Sequence, residues 1–230
     1  ILRLSAVGDV IRTLPAVKAL KEWSPSSYIA WVVEGPSEAF LKSQPEIDQV
    51  ILFPRKRWTD GIKSLRKIGR TITEIWKFIF YLRRQSFDIV FDFHGILKSG
   101  LLSFLSGSPK RVGFDRRSSR EWNFLFSNIR VRLPEKKMNR FQRNFALLNG
   151  VGLNIKRFNS KLHIPEKDKG YIALFLNALS LPFKKPCIAI HPGTSPKTFY
   201  KRWMFDRYAQ LADRLVQELK ATVIFTWGPG

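Results

Sequence analysis

The stretch that decides the fold is ILRLSAVGDVIRTLPAVKAL, residues 1–20. Residues 1–4 read as a short apolar strand, residues 5–8 as a small-residue turn, and residues 14–20 as a helix with Leu14, Val17 and Leu20 on its apolar side. A strand, a tight turn and a helix in this order open a wound α/β sheet, in which ligands bind at the loops beyond the carboxyl ends of the strands. Gly8 and Asp9 fall in that loop. An aspartate beside a helix start also has an ordinary use, because its carboxylate satisfies unpaired N–H groups of the first turn. Taken alone, the stretch assigns Asp9 this capping role.

Working outward, YIAWVV at 28–33, QVILF at 49–53 and DIVFDF at 88–93 are further strand candidates, with helical patterns between them. Strands that alternate with helices predict a parallel, doubly wound α/β sheet. Two segments interrupt the rhythm: residues 55–62, and a basic, aromatic region at 108–143. The pattern restarts with a strand at 187–190, a loop at 191–200, a helix at 205–219 and a strand at 222–226. This predicts a first domain over 1–155, a connector over 156–185 with one helical candidate at 169–179, and the start of a second domain over 186–230. Two parallel strands and one helix cannot cover both faces of a sheet, so the second domain is expected to be truncated in this sequence.

The 230 residues are 44% hydrophobic, enough for a real core. Forty Lys and Arg against eighteen Asp and Glu leave a net charge of +22, which points to polyanionic partners: nucleic acid, an anionic membrane surface or a phosphorylated substrate. The single cysteine, Cys187, excludes an internal disulfide framework and fits a reducing, cytoplasmic setting. The most apolar window, IWKFIFYL at 75–82, carries Lys77 and is far shorter than the ~20 residues that span a bilayer. Residues 62–84 around it place Ile68, Ile72, Ile75 and Ile79 at helical spacing among Lys and Arg, with Trp76, Phe78, Phe80 and Tyr81. Such a helix can cover a sheet, lie on an anionic membrane surface, or do both with different faces.

Three stretches together resemble the family 9 glycosyltransferases, the ADP-heptose:lipopolysaccharide heptosyltransferases. They are SAVGDVIRTLPAVKAL with AWVVE after it, FDFHGILKSGLLS, and HPGTSPKTFYKRWMFDRYAQLADRL ending at WGPG. RKRW at 55–58 and RVGFDRRSSREW at 111–122 look most like the member that adds heptose to Kdo on lipid A. The resemblance implies two Rossmann-like domains of the glycosyltransferase B type. It also implies an inverting, metal-independent transfer of heptose from ADP-heptose to a Kdo sugar of the lipopolysaccharide inner core. No cofactor is then expected, and the high positive charge is expected to hold such an enzyme peripherally on the cytoplasmic face of the anionic inner membrane. In keeping with this, His94, His163 and His191 stand far apart and no Asp-x-Asp pair suited to a metal is present. The Asp92 and His94 of DFHG read as a strand-end hydrogen-bonding pair.

By the resemblance, Asp9 becomes the general base, within reach of the acceptor hydroxyl as it attacks the anomeric carbon. Gly8 leaves the ligand room, and Ser5 lies on the same turn. Lys201 is the cation that neutralises the departing ADP, with Lys197 as its competitor because the loop is longer than the family pattern. Thr194 and Ser195 can bind phosphate oxygens, and Trp227 and Gly228 begin a nucleotide-binding loop. For the anionic acceptor the resemblance favours Arg55, Arg57, Lys98 and Arg120, since arginine grips carboxylate and phosphate with two parallel hydrogen bonds. Trp58 and Trp122 line the pocket or fill the core. Two other classes compete. One is a basic nucleic-acid- or polyanion-binding α/β protein; the other is a glycosyltransferase using another sugar nucleotide. A dinucleotide oxidoreductase ranks low, because SAVGD lacks the full G-x-G-x-x-G pattern.

Overall fold

Alternation of buried side chains along short β-branched strands lets one sheet hold helices on both faces, and the first part of the chain is built this way. The computed structural model describes residues 1–135, 137–155, 161–179, 186–194 and 196–228, apart from the side chains of Pro196 and Lys197. The chain divides into two compact units, Ile1–His163 and Ile164–Gly230.

In the first unit, β1 (Ala30–Val33) pairs in parallel with β2 (Gln49–Leu52), and β3 (Ile89–Phe91) pairs in parallel with β4 (Lys110–Phe114), which pairs with β5 (Ile129–Val131). The expected first strand is reduced to bridges at Leu2, which joins Val32 on one side and Asp92 on the other. Leu2 donates to the Phe91 carbonyl at 2.9 Å, and Val32 donates to the Ile1 carbonyl at 2.9 Å. The opening segment therefore lies between β1 and β3, giving the spatial order β2, β1, Leu2, β3, β4, β5. That is a doubly wound sheet whose order reverses at the opening segment.

Alternate residues separate the two faces. Trp31, Val33, Phe91 and Phe93 pack with Val10, Leu14 and Val17 of α1 (Val7–Trp23) and with Leu147 and Leu148 of α6 (Arg140–Asn149). Ala30, Val32 and Val90 pack on the opposite face with Trp58 of α3 (Arg55–Ile62), Leu82 of α4 (Ile68–Arg84) and Leu102 of α5 (Leu97–Leu105). The short α2 (Glu38–Lys42) precedes β2. The two segments that interrupted the sequence rhythm are thus regular: 55–62 is α3, and 108–143 contains β4 and β5. Trp58 is a core residue, and Trp122 is exposed.

In the second unit, α7 (Glu166–Ala178) precedes a parallel pair, β6 (Cys187–Ile190) and β7 (Thr222–Phe225), joined by α8 (Phe205–Leu219). Of the expected connector, residues 156–160 and 180–185 lie outside the described residues, and the part between them carries α7.

Candidate active site

The reversal of strand order brings two strand-end loops together: the one that leads from Leu4 into α1, and the one that leads from β3 into α5. The helix starts at Val7, so Gly8 and Asp9 belong to its first turn rather than to the preceding loop. Ala6 is the N-cap, and no side chain caps the helix. The Asp9 carboxylate turns instead to arginines. Its Oδ2 lies 2.5 Å from Arg3 Nη2, and its Oδ1 lies 3.6 Å from both Arg12 Nη1 and Arg140 Nε. A Cβ added to Gly8 would meet no atom within 4 Å, so the approach to this turn is open. Ser5 is half-buried beside it.

Arg3 follows from strand geometry. Leu2 and Leu4 face one layer, so Arg3 points into the other, toward α1 and α6. There it is only 4% exposed. Its Nη1 donates to the Phe93 carbonyl at 2.8 Å, while its Nε has no hydrogen-bond partner. Burial lowers the guanidinium pKa and the Asp9 charge opposes that shift. An unpaired charge at this depth would cost several kcal/mol, on the order of the penalty for one desolvated ion.

The second loop is held by Asp92 and His94, which hydrogen-bond at the strand end as the sequence suggested, though through the His94 backbone N–H and not its ring. Fully buried Asp92 accepts through Oδ1 from the N–H groups of His94 at 2.9 Å and Gly95 at 3.1 Å, and through Oδ2 from Ser99 Oγ at 2.8 Å and Asn123 Nδ2 at 2.7 Å. Burial raises its pKa against those four donors. His94 Nδ1 accepts from the Leu4 N–H at 3.2 Å, which places the proton of the neutral ring on Nε2. Burial, then the Arg3 charge, push its pKa down to about 4, with Asp9 opposing. Gly95, at φ +70°, makes the turn that leads to α5, where a Cβ would stand 3.2 Å from the Phe114 ring.

Beside Asp9 opens a cleft of about 630 Å³ lined by Arg12, Arg120, Arg140 and Arg143. The Arg143 guanidinium lies 5.0 Å from the Phe114 ring centroid and donates to the Ser118 carbonyl at 2.9 Å. Its pKa is lowered by burial and by Arg140, Arg120 and Arg3. Of the predicted acceptor residues, Arg120 lines this cleft. Lys98, in the first turn of α5, is near enough to depress the His94 pKa. Arg55 instead faces Glu34 at 3.4 Å, and Arg57 pairs with Glu74 of α4. Sequence reasoning missed Arg3, Arg12, Arg140 and Arg143. A second cavity, about 450 Å³ and mostly apolar, lies at the amino ends of the strands between Leu20, Trp23, Phe87 and Leu102. It is the better enclosed of the two, yet it offers neither a base nor a cluster of cations.

In the second unit the loop after β6 holds the other predicted residues. Thr194 is fixed by Arg202, whose Nε donates to its Oγ1 at 3.0 Å and whose Nη2 donates to its carbonyl at 2.6 Å. The Thr194 hydroxyl donates to the Thr198 carbonyl at 3.2 Å. Lys201 is exposed, with Nζ 5.8 Å from the Tyr200 ring centroid. Ser195 lies outside the described residues, as does the side chain of Lys197. Trp227 and Gly228 are exposed beyond β7, and Thr226 Oγ1 is 3.0 Å from His191 Nδ1. Among the described residues no group of three His, Cys, Asp or Glu is placed to hold a metal ion.

A wound sheet with a carboxylate and a cluster of arginines at its reversal point defines an α/β protein with a cationic cleft beside a carboxylate. The model of glycosyltransferase family 9 (heptosyltransferase) matches residues 75–230, and the chain belongs to this family. It is 27% identical to the lipopolysaccharide core heptosyltransferase OpsX of Haemophilus influenzae, over 100% of this chain and 59% of that protein. It is 25% identical to lipopolysaccharide heptosyltransferase 1 of Campylobacter coli, over 99% of this chain and 64% of that one. The chain thus spans about three-fifths of the length of these relatives. The solved structure of E. coli heptosyltransferase WaaC with ADP-2-deoxy-2-fluoro heptose superposes with a TM-score of 0.74 at 21% identity, covering 99% of this chain and 68% of that one. The fold is the two-domain α/β fold of B-type glycosyltransferases.

Proposed function

We propose that the protein containing this chain transfers heptose from ADP-heptose to a Kdo sugar of the lipopolysaccharide inner core, by an inverting reaction that needs no metal. The observation that supports this most is the placement of Asp9: a carboxylate 23% exposed in the first turn of α1, fixed by buried Arg3 and 3.6 Å from Arg12 and Arg140, which line a cleft of arginines. Oδ2 is committed to Arg3, while Oδ1 has only the longer contacts with Arg12 and Arg140. Oδ1 is therefore the oxygen that takes the proton of the acceptor hydroxyl. As that proton leaves, the acceptor oxygen forms its bond to the anomeric carbon from the face opposite the leaving group. The bond from that carbon to the ADP oxygen breaks, and ADP departs with the electron pair.

The acceptor's carboxylates match the cleft arginines, which can form two parallel hydrogen bonds to each. Lys201, with Arg202 in the same loop, supplies positive charge for the ADP that leaves, and Thr194, Ser195, Trp227 and Gly228 belong to the donor side. Lys98 and Arg120 join the acceptor side, and Arg55 and Arg57 join it by exchanging their partners Glu34 and Glu74 for the acceptor. The family relatives support heptose as the transferred sugar, and a lipid-anchored acceptor supports peripheral attachment to the cytoplasmic face of the inner membrane.

The test is transfer of radiolabelled heptose from ADP-heptose to Kdo-lipid A by the full-length protein, with EDTA present, for wild type and Asp9→Asn. Transfer that survives EDTA and collapses in the variant supports the whole reading. Loss of transfer on adding EDTA overturns metal independence. Near-normal turnover of Asp9→Asn removes Asp9 as the base.

A further inference from the structure

Helix α4 has two apolar faces, and only one of them is used by the fold. Thr71, Ile79 and Leu82 are buried, and Ile75 and Phe78 pack against the same core. Ile72, Trp76 and Phe80 recur every four residues, so they form a separate stripe along the helix. They are 46%, 64% and 63% exposed, and Leu65, just before the helix, is 94% exposed. A helix that only covers a sheet has no need of a second apolar stripe. On α5, which packs beside α4, Leu101 and Phe104 are exposed as well.

We propose that this flank of α4 docks the protein on an anionic lipid bilayer. Charge decides the occupant. Lys63, Arg66, Lys67, Arg70, Lys77 and Arg84 are exposed around the stripe. The single acid of the helix, Glu74, is neutralised by Arg57 and Arg70. A second copy of this surface would be repelled by it, and nucleic acid offers nothing for Leu65 and Ile72 to enter. An anionic bilayer satisfies both halves: acyl chains take the stripe, with Trp76 at the interfacial level, and headgroups take the cations. No described helix is long and apolar enough to cross a membrane, so α4 lies along the surface. The inference deepens the reading of a lipid-anchored acceptor and rests on it for its purpose.

The experiment is flotation of the full-length protein with vesicles of phosphatidylcholine, with and without phosphatidylglycerol, at low and high salt. Activity is measured in parallel on a delipidated, water-soluble acceptor. Wild type is expected to float with phosphatidylglycerol vesicles and to be released by salt. Replacing Lys63, Arg66 and Lys67 by Gln should weaken partitioning about a hundredfold, since each surface cation contributes roughly a factor of five. Trp76→Ser with Phe80→Ser should weaken it by more than about tenfold. Retained activity on the soluble acceptor shows that both variants are folded. Flotation that ignores both sets of substitutions, or that is equal with neutral vesicles, overturns the proposal. So does wild-type binding to an oligonucleotide with no binding to vesicles. A wild type that floats as expected but transfers no heptose leaves the docking surface standing and strikes only the proposed reaction.

Discussion

Asp9 and Lys201, the two residues proposed for the chemistry, are held in opposite ways. Asp9 is gripped by a buried arginine and flanked by two more, after a strand end tied through the Leu4 N–H to His94 of the loop that Asp92 holds. Lys201 is exposed beside Tyr200, and the fixed part of its loop is the neighbouring pair of Arg202 and Thr194. The difference fits the two tasks. A base must stand within hydrogen-bond reach of one proton, whereas a cation that balances a leaving diphosphate acts through a Coulomb field that falls only slowly with distance. In the proposed reaction one end demands geometry and the other demands charge.

The sharpest way to break that contrast is to change chemistry while preserving shape. Asp9→Asn is expected to lower kcat by about 10²–10⁴, or roughly 3–5 kcal/mol of barrier. Lys201→Ala should lower it by about 10²–10³. Lys201→Arg, which keeps the charge and moves it, should stay within about tenfold of wild type because the field is retained. Steady-state kcat for the three variants decides the matter. If Lys201→Arg is as damaged as Lys201→Ala, Lys201 is as geometrically strict as Asp9.

The Asp92 network in the neighbouring loop comes next in size. Asp92→Ala strands the Ser99 hydroxyl, the Asn123 amide and two backbone N–H groups in a buried site, at about 1–3 kcal/mol for each unsatisfied group that fails to find water. We expect a loss of about 3–5 kcal/mol, read from hydrogen exchange across the first unit. A loss below 1 kcal/mol would mean that the first unit does not depend on this network.

How much of this was legible in the sequence follows from the same physics. Strands with β-branched and aromatic runs, such as AWVV and QVIL, announced themselves, and α8 matched its expected span. KRVGF and IRV did not, because their alternate positions carry arginine and glycine, and only the sheet shows that such residues sit at its edge or under a loop. The cleft arginines were hidden for a different reason. Arg12 and Arg140 are far apart in sequence and meet only because α1 packs on α6. Arg3 did carry a signal. A charge inside a strand that is covered on both faces requires a buried partner, and Asp9 was the nearest acid.

His94 gives a smaller effect and a defined pH window. Its pKa falls from the ordinary 6.5 to about 4 in the folded chain, mainly through burial. Between those values the unfolded chain binds more protons than the folded one, so stability rises with pH across the window and is lost as pH falls from 6.5 toward 4. The full contribution is about 3 kcal/mol, reduced by partial solvent access. His94→Gln keeps an acceptor for the Leu4 N–H and removes the titration. Urea unfolding of the first unit should therefore show a shallower pH slope in the variant. An unchanged slope would move the titration to another group.

The smallest expected effect probes the donor side. In Arg202→Lys the charge remains but the two-point hold on Thr194 is lost, because an ammonium cannot reproduce the planar fork that spans Oγ1 and the carbonyl. A charge-assisted hydrogen bond at a half-buried position contributes about 1–2 kcal/mol, so KM for ADP-heptose should rise roughly tenfold. If the loop serves mainly as a source of charge, kcat should change much less, since Lys201 and the new lysine keep the positive charge of the loop. A fall in kcat as large as that of Asp9→Asn would instead show that the second unit positions its ligand as tightly as the first positions its base.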